Sequence, residues 1–217
     1  MKILFFDTET TGLPDWKVPS DSEHQPHIVQ LGIILADAES KKIISSVDAI
    51  IKPDGWTIPE EMTEIHGISH EMAMDCGIRE TTAIDTLLQM WGDKTRVCHN
   101  RTFDQRIIRI ALKRYQYGED VMDQWGDKED FQCTMLMAKP IMELPPYGKY
   151  GYKNPRLEQA YEFFTGKTLE NAHSAMADTQ ACMEVFFGIE RYQSNATIKK
   201  ATDDIVEDKE VAEGPGF

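Results

Sequence analysis

The 217-residue sequence is short of several things. No apolar stretch approaches the roughly 18–20 residues that a membrane-spanning helix needs, so no membrane span and no membrane partner is expected. The apolar run Ile3–Phe6 stops at Asp7, too soon for the core of a signal peptide, and the reading is a soluble, cytoplasmic protein. There are only four cysteines, Cys76, Cys98, Cys133 and Cys182, and no two form a Cys-x-x-Cys pair. That spacing gives neither a zinc pattern nor a disulfide framework, so the thiols are expected to be reduced and buried. Basic residues are scarce as well: 23 Lys and Arg stand against 37 Asp and Glu, a formal net charge of −14. Such a surface excludes a broad electrostatic grip on duplex DNA. It leaves open a protein that holds one strand end through bound cations. No internal repeat is visible.

The length suits one domain with a substantial core. Residues 203–217 carry six acids and one lysine, so residues 196–217 read as an acidic, flexible tail after a domain over 1–195. Within the domain, residues 2–7, Ile28 to Leu35 and Lys42 to Lys52 read as strands, and their short connections favour an antiparallel meander. Pro14 to His27, with three prolines and several acids, reads as an exposed loop. Short helices are expected at Pro59 to Ile65 and, capped by Ser69, at Glu71 to Asp75. Thr82 to Trp91 has apolar residues at helical spacing, and Arg96 to His99 is a short strand. In Thr102 to Tyr115, Phe103, Ile107, Ile110 and Ala111 share one helical face. Glu119 to Asp130 reads as an acidic loop, Phe131 to Ala138 stays open, and Pro140 to Pro155 reads as a long loop. Helices are expected again at Arg156 to Phe164 and Ser174 to Tyr192. Strands followed by helices alternating with a short strand give an α/β class with a mixed sheet flanked by helices.

Three acid clusters carry the chemistry. The first is Phe5-Phe6-Asp7-Thr8-Glu9-Thr10-Thr11-Gly12-Leu13. Side chains two apart on a strand share a face, so Asp7 and Glu9 point together, and ionising both is costly unless a cation sits between them. The second is His99-Asn100-Arg101-Thr102-Phe103-Asp104, where a strand hands over to a helix and Asp104 falls in the first turn. The helix dipole favours an ionised acid there, which on its own serves capping as readily as catalysis. The third is His173-Ser174-Ala175-Met176-Ala177-Asp178, with Ser174 as cap and His173 just outside the helix.

In combination, acid-x-acid after the first strand, Asn-x-x-Phe-Asp and His-x-x-x-x-Asp resemble the DEDDh 3′–5′ exonucleases, a DnaQ-like family with a ribonuclease H-like fold. The likeness covers about residues 2–190 and includes His66-Gly67-Ile68. The sister subtype has tyrosine four residues before the last aspartate, where this chain has Ser174. The resemblance implies that Asp7, Glu9, Asp104 and Asp178 hold two Mg²⁺ or Mn²⁺ ions and that His173 is the general base. It implies a 3′–5′ exonuclease on single-stranded nucleic acid, DNA favoured over RNA, releasing nucleoside 5′-monophosphates. Two alternatives stand beside this: a proofreading subunit acting with a DNA polymerase or another replication or repair protein, and a non-catalytic nucleic-acid-binding module.

Substrate contacts are implied for Thr10, Gly12 and Leu13, with Leu13 against a base, and for His66, Asn100 and Phe103. Phe103 reads equally well as a core anchor, and His66 as a turn cap. Tyr147, Lys149, Tyr150, Tyr152 and Lys153 mix aromatics with lysines, either for base stacking or simply packed on the body. Cys133-Thr134 stands where relatives often carry Asp-Thr, and the long loop Pro14 to His27 either gates the site or docks a partner.

Overall fold

A computed structural model describes residues 1–145 and 151–212, with side chains described as far as Ile198. Tyr147, Lys149, Tyr150 and residues 213–217 lie outside the described residues. Five strands form one sheet in the order β3-β2-β1-β4-β5. β1 (Lys2–Thr10), β2 (Ile28–Asp37) and β3 (Ile43–Ile50) make the expected antiparallel meander. β4 (Thr95–Cys98) and β5 (Phe131–Cys133) run parallel to β1.

Helices cover both faces, because β1 is apolar on both. Leu4 and Phe6 pack with α3 (Glu80–Trp91), α4 (Arg101–Arg114) and Trp125 of α5 (Glu119–Gly126). Ile3 and Phe5 pack with Cys182, Met183, Phe186 and Phe187 of α8, whose helical backbone spans Ala175–Ala212. α6 (Thr134–Met142) and α7 (Leu157–Thr165) extend that second layer. The short α1 (Glu60–His66) and α2 (His70–Cys76) follow β3. Ser69 caps α2 as expected, its hydroxyl accepting from Met72 N–H at 3.1 Å.

Four expectations need correction. The acidic stretch Glu119 to Asp130 contains a helix, because Trp125 is fully buried and drives it against the core despite the surrounding acids. The expected loop after Pro140 begins only after Met142, since α6 carries Pro140 within it. Cys76 is exposed, while Cys98, Cys133 and Cys182 are buried and free. Pro14 to His27 is not simply exposed: Pro14, Ser20, Gln25 and Pro26 are buried.

Two features of this frame build a site at the end of β1. Of β1, β4 pairs with Ile3, Leu4 and Phe5 alone, so β1 runs on past it with that edge unpaired among the described residues. On the other side the β1–β2 register shifts between Glu9 and Thr10, a bulge that re-aims the strand as it leaves the sheet.

Candidate active site

The free end of β1 carries Asp7 and Glu9 on the face that packs against α8, and α8 begins with Asp178 in its first turns. α4 sits on the opposite face and delivers Asp104 round the end of β4. The hydroxyl of Thr8 donates to Asp104 Oδ1 at 2.9 Å, tying the first cluster to the second from within the core. One nitrogen of His173 and one carboxylate oxygen each of Glu9 and Asp178 lie within 4.8 Å of one another. His173 is exposed and left-handed at φ 70°, which turns its backbone N–H onto Asp178 Oδ2 at 3.1 Å.

The start of α8 is held from β2 by the residues directly across from the two acids of β1. Gln30 pairs with Glu9 and Gly32 with Asp7. Gln30 Oε1 accepts from Ala175 N–H at 3.0 Å, and its amide donates to Asp48 Oδ1 at 2.7 Å. Thr179 donates to the Gly32 carbonyl at 3.2 Å. A Cβ on Gly32 would fall 2.4 Å from the Ala175 carbonyl oxygen, so only glycine lets α8 approach this closely.

Without a cation the cluster is electrostatically costly. Burial pushes Asp7 well above the ordinary carboxylate range, and Asp104, Asp178 and Glu9 push it further. Burial, then Asp178 and Asp104, lifts Glu9 to about 8. Burial raises Asp104 to about 7 against the opposing Thr8 hydrogen bond. Asp178 rises to about 6 for the same first reason, opposed by the His173 N–H. Asp178 Oδ1 is buried with no hydrogen-bond partner among the described residues. An unpaired carboxylate oxygen among mutually repelling acids fits a hard divalent cation, which prefers oxygen ligands.

The expected substrate residues divide. Thr10 is buried, with its hydroxyl on the Gly12 carbonyl at 2.8 Å, and Gly12 has φ 151°, a backbone that favours glycine. Leu13 is 83% exposed. Asn100 is exposed and left-handed at φ 63°, its carbonyl accepting from Phe103 N–H, and Phe103 packs partly against the core. His66 is buried at the end of α1, where Nδ1 accepts from Ile68 N–H at 3.1 Å. It caps that turn, and no hydrogen bond joins it to the carboxylates among the described residues. His99 is a tie between segments, with Nδ1 2.9 Å from Thr134 Oγ1 and Nε2 3.1 Å from the Pro155 carbonyl. Sequence reasoning missed Thr8, Gln30 and Gly32. Their only local signal is position, between the two acids or across the sheet from them.

Against known proteins, the exonuclease family RNase_T matches residues 4–186, most of the chain. This chain belongs to that family of exonucleases. The Asp7, Glu9, Asp104, Asp178 and His173 pattern makes it a member of the DEDDh type. It is similar to the DNA polymerase III subunit epsilon of Treponema pallidum (strain Nichols), 28% identical over 83% of this chain and 73% of that one. It is also similar to the uncharacterized exonuclease CP81 of Escherichia phage 186, 29% identical over 84% of each chain. Among solved structures it resembles E. coli exonuclease I in a complex with single-stranded DNA, at a TM-score of 0.69 and 23% identity over 93% of this chain. Exonuclease I of Methylocaldum szegediense matches at a TM-score of 0.68 and 21% identity over 89% of this chain. That likeness is one of fold: an α/β mixed sheet flanked by helices. The chain spans 43% and 41% of the length of those two exonuclease I chains.

Proposed function

We propose that this chain removes nucleotides one at a time from the 3′ end of single-stranded nucleic acid, DNA ahead of RNA, releasing nucleoside 5′-monophosphates. The observation that carries the reading is the convergence of the raised carboxylates Asp7, Glu9, Asp104 and Asp178 with His173 at the free end of β1.

Asp7, Glu9, Asp104 and Asp178 would hold two divalent cations, Mg²⁺ or Mn²⁺. When bound, such ions supply positive charge to the phosphodiester oxygens where negative charge develops. His173 takes the proton of the attacking water, whose electron pair forms the new bond to phosphorus as the bond to the 3′ oxygen of the preceding nucleotide breaks. Imidazole suits that transfer at neutral pH. The His173 N–H to Asp178 Oδ2 bond ties the backbone at the base of the ring to that carboxylate. Cations in the acid cluster also answer the charge objection, since they reverse the sign a scissile phosphate meets.

The experiment follows 5′-labelled single-stranded DNA and matched RNA with Mg²⁺, Mn²⁺ or EDTA, using wild type and Asp7→Ala. A cation-dependent ladder shortening from the 3′ end, faster on DNA and absent in the variant, supports the reading. No shortening of either strand with either cation sinks it. The relative named as a polymerase III epsilon subunit favours a second reading, in which the activity serves a polymerase partner. Co-purification with a polymerase, and a rate raised by it, would support that.

A further inference from the structure

The loop after the first acid cluster is built as a rigid body. Its ends are paired by Thr11 N–H to the His27 carbonyl at 3.0 Å and His27 N–H to Thr11 Oγ1 at 2.9 Å. Gln25, only 2% exposed, fills its centre: the amide donates to the carbonyls of Asp15 and Pro19, both at 3.0 Å, and Oε1 accepts from Asp15 N–H. Two arginines of α4, eight residues apart and so near one helical face, fasten it from outside. Arg106 donates to the Val18 carbonyl at 2.6 Å, and Arg114 to the carbonyls of Gln25 and Pro26 at 2.8 and 3.0 Å.

On this fixed loop Trp16 is 55% exposed, whereas Trp91 and Trp125 are buried. The Arg106 guanidinium stands over the ring, 5.8 Å from its centroid, on a residue two beyond Asp104. An indole kept in water by a loop with its own polar centre is not there for the core.

We propose that Trp16 is a stacking platform for a nucleobase of the substrate strand, upstream of the terminal nucleotide. This rests on the exonuclease reading. Leu13 and Trp16 are three residues apart, within roughly 11 Å along the chain. That is about three stacked nucleotides. Bases stack on aromatic side chains whatever their identity, as an enzyme that shortens any strand requires. Arg106 adds a cation close to where the backbone phosphate of that nucleotide would pass. A protein partner fits less well: Asp15, Lys17, Asp21 and Glu23 surround the ring in the sequence and are all exposed, which leaves too little apolar surface for a stable interface. Three of them repel phosphate, so stacking rather than charge has to hold the base there.

The test reads intrinsic tryptophan fluorescence while an oligothymidylate of about eight nucleotides is added, with Ca²⁺ as the cation to keep the strand intact. Wild type is expected to be quenched on binding. Trp16→Phe is expected to bind within about threefold of wild type and to lose most of the quench. Trp16→Ala should weaken binding about tenfold and raise KM for the oligonucleotide with little change in kcat. Because the ring is more than half exposed, neither substitution opens a core cavity. Hydrolysis and binding that are indifferent to Trp16→Ala, or a quench that survives in Trp16→Phe, overturns this proposal alone. A wild type that neither binds nor shortens any strand overturns it together with the exonuclease reading.

Discussion

Gln30 Oε1 accepts the backbone N–H of Ala175 at 3.0 Å, joining the strand opposite Glu9 to the first turn of the helix that carries Asp178. The amide end of Gln30 is held in turn by Asp48. Gln30→Leu leaves the buried Ala175 N–H without an acceptor, at a cost of about 1–3 kcal/mol. The expected result is a Tm lower by roughly 3–8 °C and a kcat that falls far more than KM for the strand rises. Gln30→Glu restores the acceptor but sets a negative charge beside Glu9 and turns the donor to Asp48 into a second carboxylate facing it. It should recover thermal stability better in Mg²⁺ than in EDTA, a contrast that melting curves in both buffers would read.

Gly32→Ala drives a Cβ into the Ala175 carbonyl at 2.4 Å and the Thr179 hydroxyl at 2.7 Å. Backbone on one side and a buried hydroxyl on the other leave no flexible atom to yield. Destabilisation of about 1–3 kcal/mol is expected, with kcat reduced because α8 must lift away from Asp7. Denaturant unfolding and steady-state kinetics on the same preparation would measure both.

Thr8→Val keeps the shape of the side chain and removes the hydroxyl that donates to Asp104 Oδ1 at 2.9 Å. That hydrogen bond holds the Asp104 pKa down against burial, so its loss raises a value already near 7. Protons then compete harder with cations for the carboxylate. The Mn²⁺ concentration for half-maximal rate should rise several-fold at pH 7 and much less at pH 9. An equal increase at both would argue against this role for Thr8.

Metal-free protein should lose stability as pH rises. Glu9, Asp104 and Asp178 titrate at about 8, 7 and 6 in the folded chain, above their ordinary values near 4. Between those limits the folded state binds more protons than the unfolded state, so stability is fully present near pH 4 and drains away towards pH 8. In EDTA the Tm should therefore fall steadily between pH 5 and 8. Mg²⁺ or Mn²⁺ should flatten that slope, and Asp7→Asn should raise the metal-free Tm at pH 8. An EDTA curve that rises steadily over the same range would contradict the account.

What could be seen in the sequence was local. The two-residue spacing of Asp7 and Glu9, the hand-over from strand to helix before Asp104, and the cap at Ser69 are all set by neighbours in the chain. Trp125 was missed because its drive to be buried comes largely from Phe6 and Trp91, both far along the chain from this acidic run, and only Phe131 lies close to it in sequence. Gln30 and Gly32 look like ordinary strand residues, and their partners lie 145 and 147 residues away. Gln25 likewise turned an expected exposed loop into a fastened one, through bonds to backbone carbonyls that no composition reveals. Spacing marks which side chains share a face, whereas the helix they meet depends on the closed sheet.

The most direct measurement is a calorimetric titration of wild type, Asp7→Asn and Asp178→Asn with Mn²⁺ at pH 7, in two buffers of different ionisation enthalpy. Four carboxylates that hold two cations predict two ions per wild-type chain. Because Glu9 titrates at about 8, they also predict a heat that differs between buffers as bound protons are released. Each variant should lose at least one ion. No binding, or binding without proton release and indifferent to both substitutions, would contradict the claim that this acid cluster is the catalytic cation site.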